Sequence, residues 1–171
     1  MDRQTLELNG GLFEAMISRL LQKTFPDYYT LLNKELFSYR INNTTQIDVI
    51  FVTPKLVFVI EAKNWVDWVR GTYDDAQWVG KSRSKNIMHV VSPFRQNLMH
   101  IRTLYCSALK AGVQLPPMVN LICFPDTTRI ESNCREICKY SQLTSLISVL
   151  LSKPMKEYNT IETVKAIKSL K

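Results

Sequence analysis

Residues 46–52 (Gln-Ile-Asp-Val-Ile-Phe-Val) and 56–60 (Leu-Val-Phe-Val-Ile) are separated by only Thr53-Pro54-Lys55. Both runs are rich in β-branched and aromatic residues, the composition of buried strands. So short a link cannot carry the crossover that parallel neighbours require, so the two runs are expected to pair antiparallel. Residues 35–41 precede them as a third strand, across the turn-forming Asn42-Asn43-Thr44-Thr45. Three strands with short links make an antiparallel meander, and the rest of the chain must pack around it.

The flanking segments carry the helical period. Residues 9–25 place Leu12, Phe13, Met16, Ile17, Leu20 and Leu21 on one stripe, closed by Pro26, with Glu14 beside it. Ser92-Pro93 supplies an N-cap and a first-turn proline for a second helix, whose stripe is Phe94, Leu98, Ile101, Tyr105 and Ala108, down to Gly112. Residues 118–124 read as a further strand, and residues 141–151 and 160–170 as two helices. Asn159 and Glu162 form a capping pair for the last of these. Residues 69–79 are mixed, punctuated by Gly71 and Gly80. There is no repeat, low-complexity tract or linker. The expectation is one domain over 1–171, with a core over about 10–124 and C-terminal helices over about 141–170. Its class is α/β, with a central mixed sheet, the meander plus a further strand, flanked by helices.

Composition bounds the function. A chain of 171 residues, 46% apolar and 22% charged, can bury a hydrophobic core. No apolar run approaches the length of a membrane span, and the N-terminus lacks a signal-peptide pattern, so the expected compartment is the cytoplasm. Of Cys106, Cys123, Cys134 and Cys138 only Cys134 and Cys138 are close, at i and i+4, with no CxxC pair and with His89 and His100 far from them in sequence. That spacing favours reduced thiols over a zinc site. A net charge of +7 suits a polyanionic partner, nucleic acid first, but also a generically soluble basic surface.

The strand that begins at Leu56 changes character at its end. Side chains alternate along a strand, so Val57, Val59, Glu61 and Lys63 share one face and Phe58, Ile60 and Ala62 the other. Asp48 sits among Ile47, Val49 and Ile50, where a carboxylate is costly unless paired, metal-bound or at the water's edge. A hairpin turning at Thr53-Pro54 brings Asp48 and Glu61 to the same end, beside Lys63. Two close carboxylates repel, and a divalent cation resolves the repulsion. Oxygen donors alone favour Mg²⁺ or Mn²⁺. Taken by itself, Glu-x-Lys is equally the solvated end of a strand with an exposed ion pair.

The wider pattern is more specific. Gln46-Ile-Asp48, then Val59-Ile-Glu61-Ala-Lys63-Asn-Trp65, Gly71, Trp78 and Ser92-Pro-Phe-Arg-Gln96-Asn97, in that order, resemble the NERD (nuclease-related domain) family of the PD-(D/E)XK nuclease superfamily. The resemblance runs from about residue 10 to 112, and on toward 124. It implies a restriction-endonuclease-like core and a metal-dependent nuclease with Mg²⁺ or Mn²⁺ as cofactor. The substrate it implies is DNA, read with little sequence specificity, with RNA as the alternative. It assigns Asp48 and Glu61 as metal ligands, joined by the Ala62 carbonyl and, through water, Glu14. Lys63 then holds or activates the attacking water, and Gln96 fixes Lys63 or that water. The bland readings are a helix-surface acid at Glu14 and a solvated glutamine at position 96. Lys81, Arg83 and Lys85 either grip the phosphate backbone or form a solvated loop. Trp65, Trp68 and Trp78 either pack the rim of a sheet or stack bases. Ile161, Val164, Ile167 and Leu170 read as packing, or as the contact of a homodimer. The competing function is a non-catalytic nucleic-acid-binding or protein-interaction module that keeps the nuclease fold.

Overall fold

A computed structural model describes residues 3–38, 42–64, 66–82 and 86–171. In chain order the elements are α1 (Arg3–Thr24), β1 (Tyr29–Ser38), β2 (Asn43–Val52), β3 (Val57–Ala62), β4 (Val66–Arg70), β5 (Gln77–Ser82) and β6 (Ile87–Val91). There follow α2 (Pro93–Lys110), β7 (Met118–Phe124), β8 (Arg129–Glu131), β9 (Ile137–Lys139), a 3-10 turn (Tyr140–Gln142), α3 (Leu143–Leu151) and α4 (Thr160–Ser169).

The meander forms as the short links demand: β1 pairs antiparallel with β2, and β2 with β3. β3 then pairs in parallel with β7, and β7 with β9, giving a five-stranded mixed sheet in the order β1-β2-β3-β7-β9. The parallel step needs a crossover, and α2 lies within it. Phe51, Phe58 and Ile60 face a cluster with Phe13, Ile17 and Leu21 of α1 and Leu143 and Ile147 of α3. Val52, Val57 and Val59 face a second cluster with Leu104 and Ala108 of α2 and Val164 and Ile167 of α4. The mixed sheet flanked by helices is therefore the α/β core expected.

Residues 69–79, read from sequence as mixed, contribute to a regular sheet. β4, β5 and β6 are antiparallel neighbours, and β8 adds in parallel to β4, giving a second sheet in the order β6-β5-β4-β8. Gly71 makes this sheet possible: a Cβ there would stand 2.2 Å from Trp78 Cγ. Trp78 is fully buried over that glycine, and its Nε1 donates to Thr72 O at 3.1 Å. It packs with Val69, Ile122 and Phe124, so it belongs to the core and not to a stacking rim. Lys81 is exposed within β5, paired with Ile87, and not in a loop. Arg83, Lys85 and Trp65 lie outside the described residues.

α2 starts as its sequence indicates, with Ser92 Oγ accepting from Arg95 N–H and Pro93 in the first turn. Its buried face, however, differs from the Phe94-Leu98-Ile101-Tyr105-Ala108 stripe. Leu98 and Tyr105 are exposed, whereas Asn97, His100, Thr103, Leu104, Ser107 and Ala108 are buried. The cause is polar. Asn97 Nδ2 reaches Val59 O at 2.7 Å, Asn120 Oδ1 at 2.7 Å and Leu121 O at 3.0 Å, fixing the helix over the seam between β3 and β7. That anchor turns polar side chains inward and aliphatic ones out.

Two lysines of the meander tie down the C-terminal helices. Lys55 Nζ donates to Leu151 O (3.0 Å) at the last residue of α3, and Lys34 Nζ to Leu170 O (2.7 Å) just after α4, where helix carbonyls lack partners. Asn159 Oδ1 caps α4 by accepting from Glu162 N–H. Val164, Ile167 and Leu170 are buried against the sheet, and Ile161 is exposed. Among the described residues no helix is long and apolar enough to cross a membrane.

Candidate functional site

The hairpin register brings the acids together. The β2–β3 ladder runs from Val52↔Val57 to Val49↔Ile60. One rung further, Asp48 stands opposite Glu61, and opposite residues in an antiparallel pair point to the same side. Asp48 Oδ2 accepts the Ala62 N–H at 2.9 Å. Past the end of β3, Lys63 N–H still donates to Cys123 O at 3.0 Å, so the backbone holding Lys63 is tied to β7.

Glu61 is 1% exposed and held from two elements. Lys63 Nζ, on the same face of the chain two residues on, forms an ion pair with Oε1. His100 Nδ1, from α2, lies 3.3 Å from Oε2 in a close but off-axis contact. Lys63 Nζ also donates to Gln96 Oε1 at 3.2 Å, which places Gln96 in the cluster and not in solvent. Glu14, half-buried on α1, is faced by the Asn33 amide, which opposes the rise in its pKa, and lies within the fields of Glu61 and Lys63. Glu14, Asp48, Glu61, Lys63 and Gln96 thus converge from α1, β2, β3 and α2.

The acids have unequal surroundings. Burial alone pushes the Glu61 carboxyl up, but the His100 contact and the Lys63 charge outweigh it and hold the group below its ordinary value. Asp48 goes the other way. Burial and then the Glu61 charge push it up to about 7, against smaller opposing effects of the Ala62 N–H and Lys63. Glu14 is also raised, chiefly by burial, with the Asn33 amide opposing. Lys63 and His100 keep Glu61 ionised, whereas Asp48 lacks enough positive charge nearby to do the same. Among the described residues no three His, Cys, Asp or Glu side chains are gathered into a ready-made metal cage. The candidate oxygen donors are the carboxylates of Asp48, Glu61 and Glu14.

Motif reading missed His100 in this cluster and included Asn97 in a motif without giving it a role. His100 is a second contact to Glu61, and Asn97 positions the helix that carries both His100 and Gln96. The available signal was spacing: Gln96 and His100 are four apart, and such pairs share one helix face. Cys138 lies in register beside Cys123 on β7, while its sequence neighbour Cys134 packs in a different cluster.

The model of the nuclease-related domain family matches residues 9–125. An uncharacterized protein of Bacillus anthracis is 35% identical over 96 residues, 56% of this chain and 44% of that protein, so the match spans less than half of that relative. No solved structure matches. With two thirds of its length matched by the family model, and with Asp48, Glu61, Lys63 and Gln96 gathered in one cluster, the chain belongs to the nuclease-related domain family, NERD.

Proposed function

We propose that the protein is a metal-dependent nuclease that hydrolyses phosphodiester bonds in DNA with little sequence reading of its own. The observation that carries this reading is the meeting of Asp48, Glu61, Lys63 and Gln96, with Asp48 pushed up to a pKa of about 7 by burial and by the Glu61 charge. A site that must meet an anionic phosphate and already strains to keep its own acid ionised calls for a cation.

The donor set fits Mg²⁺ or Mn²⁺. Asp48 and Glu61 are adjacent-strand carboxylates on one side of the sheet, and oxygen donors with no thiolate suit a hard cation that keeps several waters. Asp48 and Glu61 would hold it, with the Ala62 carbonyl and, through water, Glu14 completing the set. Bound there, the cation supplies Lewis-acid polarisation of a phosphoryl oxygen and acidifies water. Asp48 is oriented for this by the Ala62 N–H, and Glu61 by His100. Lys63 Nζ, 14% exposed, sits where it holds the attacking water and offsets charge developing on the phosphate, with Gln96 Oε1 fixing its direction. The basic surface, with Lys81 exposed on β5, supplies sequence-independent contact to the backbone phosphates.

Incubating purified protein with plasmid, single-stranded DNA and RNA in Mg²⁺ or Mn²⁺ tests this. DNA cleavage that disappears in EDTA and in Lys63→Ala is the expected result. No cleavage of any substrate, or cleavage indifferent to Lys63→Ala, overturns it. Salt-sensitive DNA retention without product would instead assign a non-catalytic binding module.

A further inference from the structure

Inside β1 one residue breaks the strand's own rules. Asn33 has φ +53, a left-handed conformation that L-residues seldom adopt and that asparagine tolerates better than most. The β1–β2 ladder keeps one register on both sides of it, Leu32↔Val49 and Lys34↔Ile47, but the rung between them, Asn33 against Asp48, is absent. Both strands change phase across that rung. Leu31 and Leu36 face the same cluster, as do Ile47 and Ile50, although odd spacings in a regular strand point to opposite faces. The break therefore coincides with the one position of β2 that carries a candidate metal ligand. Outliers of this kind cluster at functional sites, where a local kink re-aims a side chain.

The side chain of Asn33 has a neighbour at each end. Its Oδ1 accepts from Gln46 Nε2 at 2.6 Å, and its amide faces the Glu14 carboxylate closely enough to oppose the rise in that group's pKa. Gln46 is two residues before Asp48 on the same strand, so the amide links α1, β1 and β2 at the edge of the site.

We propose that Asn33 is a positioning residue of this site: its left-handed backbone releases Asp48 from the β1–β2 ladder, and its amide, anchored by Gln46, holds Glu14 toward Asp48 and Glu61. Glycine adopts the same backbone without the amide, whereas alanine loses both. This separates the two roles. The inference rests on the nuclease reading for its catalytic consequence, but the contact itself can be tested without metal.

Two measurements decide it. In metal-free protein, the NMR signals of the Asn33 side-chain amide should shift on Glu14→Gln and keep the slow solvent exchange of a bonded amide in the wild type. An amide unaffected by Glu14→Gln overturns the proposal whatever the enzyme does. For function, Asn33→Gly should melt close to the wild type yet bind Mn²⁺ about tenfold or more weakly, as expected when a residue that orients a metal ligand is lost. Asn33→Ala should lose the same affinity and also melt lower. In a Glu14→Ala background, Asn33→Gly should bring no further loss, because the amide then has nothing to hold. Wild-type Mn²⁺ affinity in Asn33→Gly, or a loss that adds in full to that of Glu14→Ala, overturns it. If wild-type protein neither binds Mn²⁺ nor cleaves DNA, the nuclease reading fails, and the amide shift still decides whether Asn33 holds Glu14.

Discussion

The two walls of the site treat the same chemical group in opposite ways. On the β3–α2 wall, Glu61 is almost wholly buried, yet Lys63 and His100 meet its two oxygens and hold its pKa down. On the α1–β2 wall, Asp48 has one backbone N–H for a partner, and burial and the Glu61 charge outweigh that bond and the Lys63 charge, so its pKa rises to about 7. The first wall is electrostatically complete within the chain. The second carries the site's excess negative charge and offers it toward whatever cation enters. Burial is common to both walls, and the charged partners decide the outcome.

The largest effect should come from breaking the complete wall. Glu61→Gln or Lys63→Met removes one half of its ion pair, and DNA cleavage in Mn²⁺ should fall by about 10³-fold or more. Rates within tenfold of wild type would show that this pair is structural.

Breaking the incomplete wall should raise stability above pH 4. The folded pKa of Asp48, about 7, stands above its ordinary 3.8. Between those values the folded state binds a proton that the unfolded state has released, so stability falls as pH rises through the window. Three units correspond to about 4 kcal/mol, and the residual solvent access of the partly buried Asp48 reduces this to roughly 2–4 kcal/mol. Asp48→Asn abolishes the loss. In EDTA, urea unfolding should show the variant gaining that amount on the wild type between pH 4 and pH 8, while its Mn²⁺ binding weakens. Parallel stability curves would sink the assignment of a raised pKa. His100→Phe, by contrast, should destabilise by about 1–3 kcal/mol, because it fills the same space but leaves one buried oxygen of Glu61 without its contact. A variant as stable as the wild type would mean that Lys63 alone satisfies Glu61.

The same contrast explains what was legible in the sequence. The meander could be read because β-branched runs joined by three- and four-residue links have few ways to pair. The Asp48–Glu61 convergence followed from counting outward from the Thr53-Pro54 turn. Lys63 and Gln96 came through their motifs. The buried face of α2 could not be read, because the stripe rule weights Leu98 and Tyr105 above Asn97 and His100. It was long-range polar anchoring to β3, β7 and Glu61 that turned the helix. The second sheet was hidden for a related reason. Its strands are short, and the rule that orders them, Trp78 lying over Gly71, is a contact between side chain and backbone with no periodic signature. The kink at Asn33 left no trace in alternation counts, since a phase slip looks like an ordinary interruption of the pattern.

The smallest effect sharpens the comparison most. Glu61 and Glu14 both raise the Asp48 pKa, with Glu61 the stronger and Glu14 the weakest of its influences. Glu14→Gln should therefore lower the Asp48 titration midpoint, followed by ¹³C NMR of its carboxyl in metal-free protein, by well under about one unit. Glu61→Gln should lower it further, for two reasons that act together. It removes the nearer like charge, and it frees the Lys63 ammonium from its ion pair to face Asp48. If Glu14→Gln shifts Asp48 as far as Glu61→Gln does, the two walls are not independently neutralised. The excess charge then belongs to the whole cluster and not to its Asp48 side.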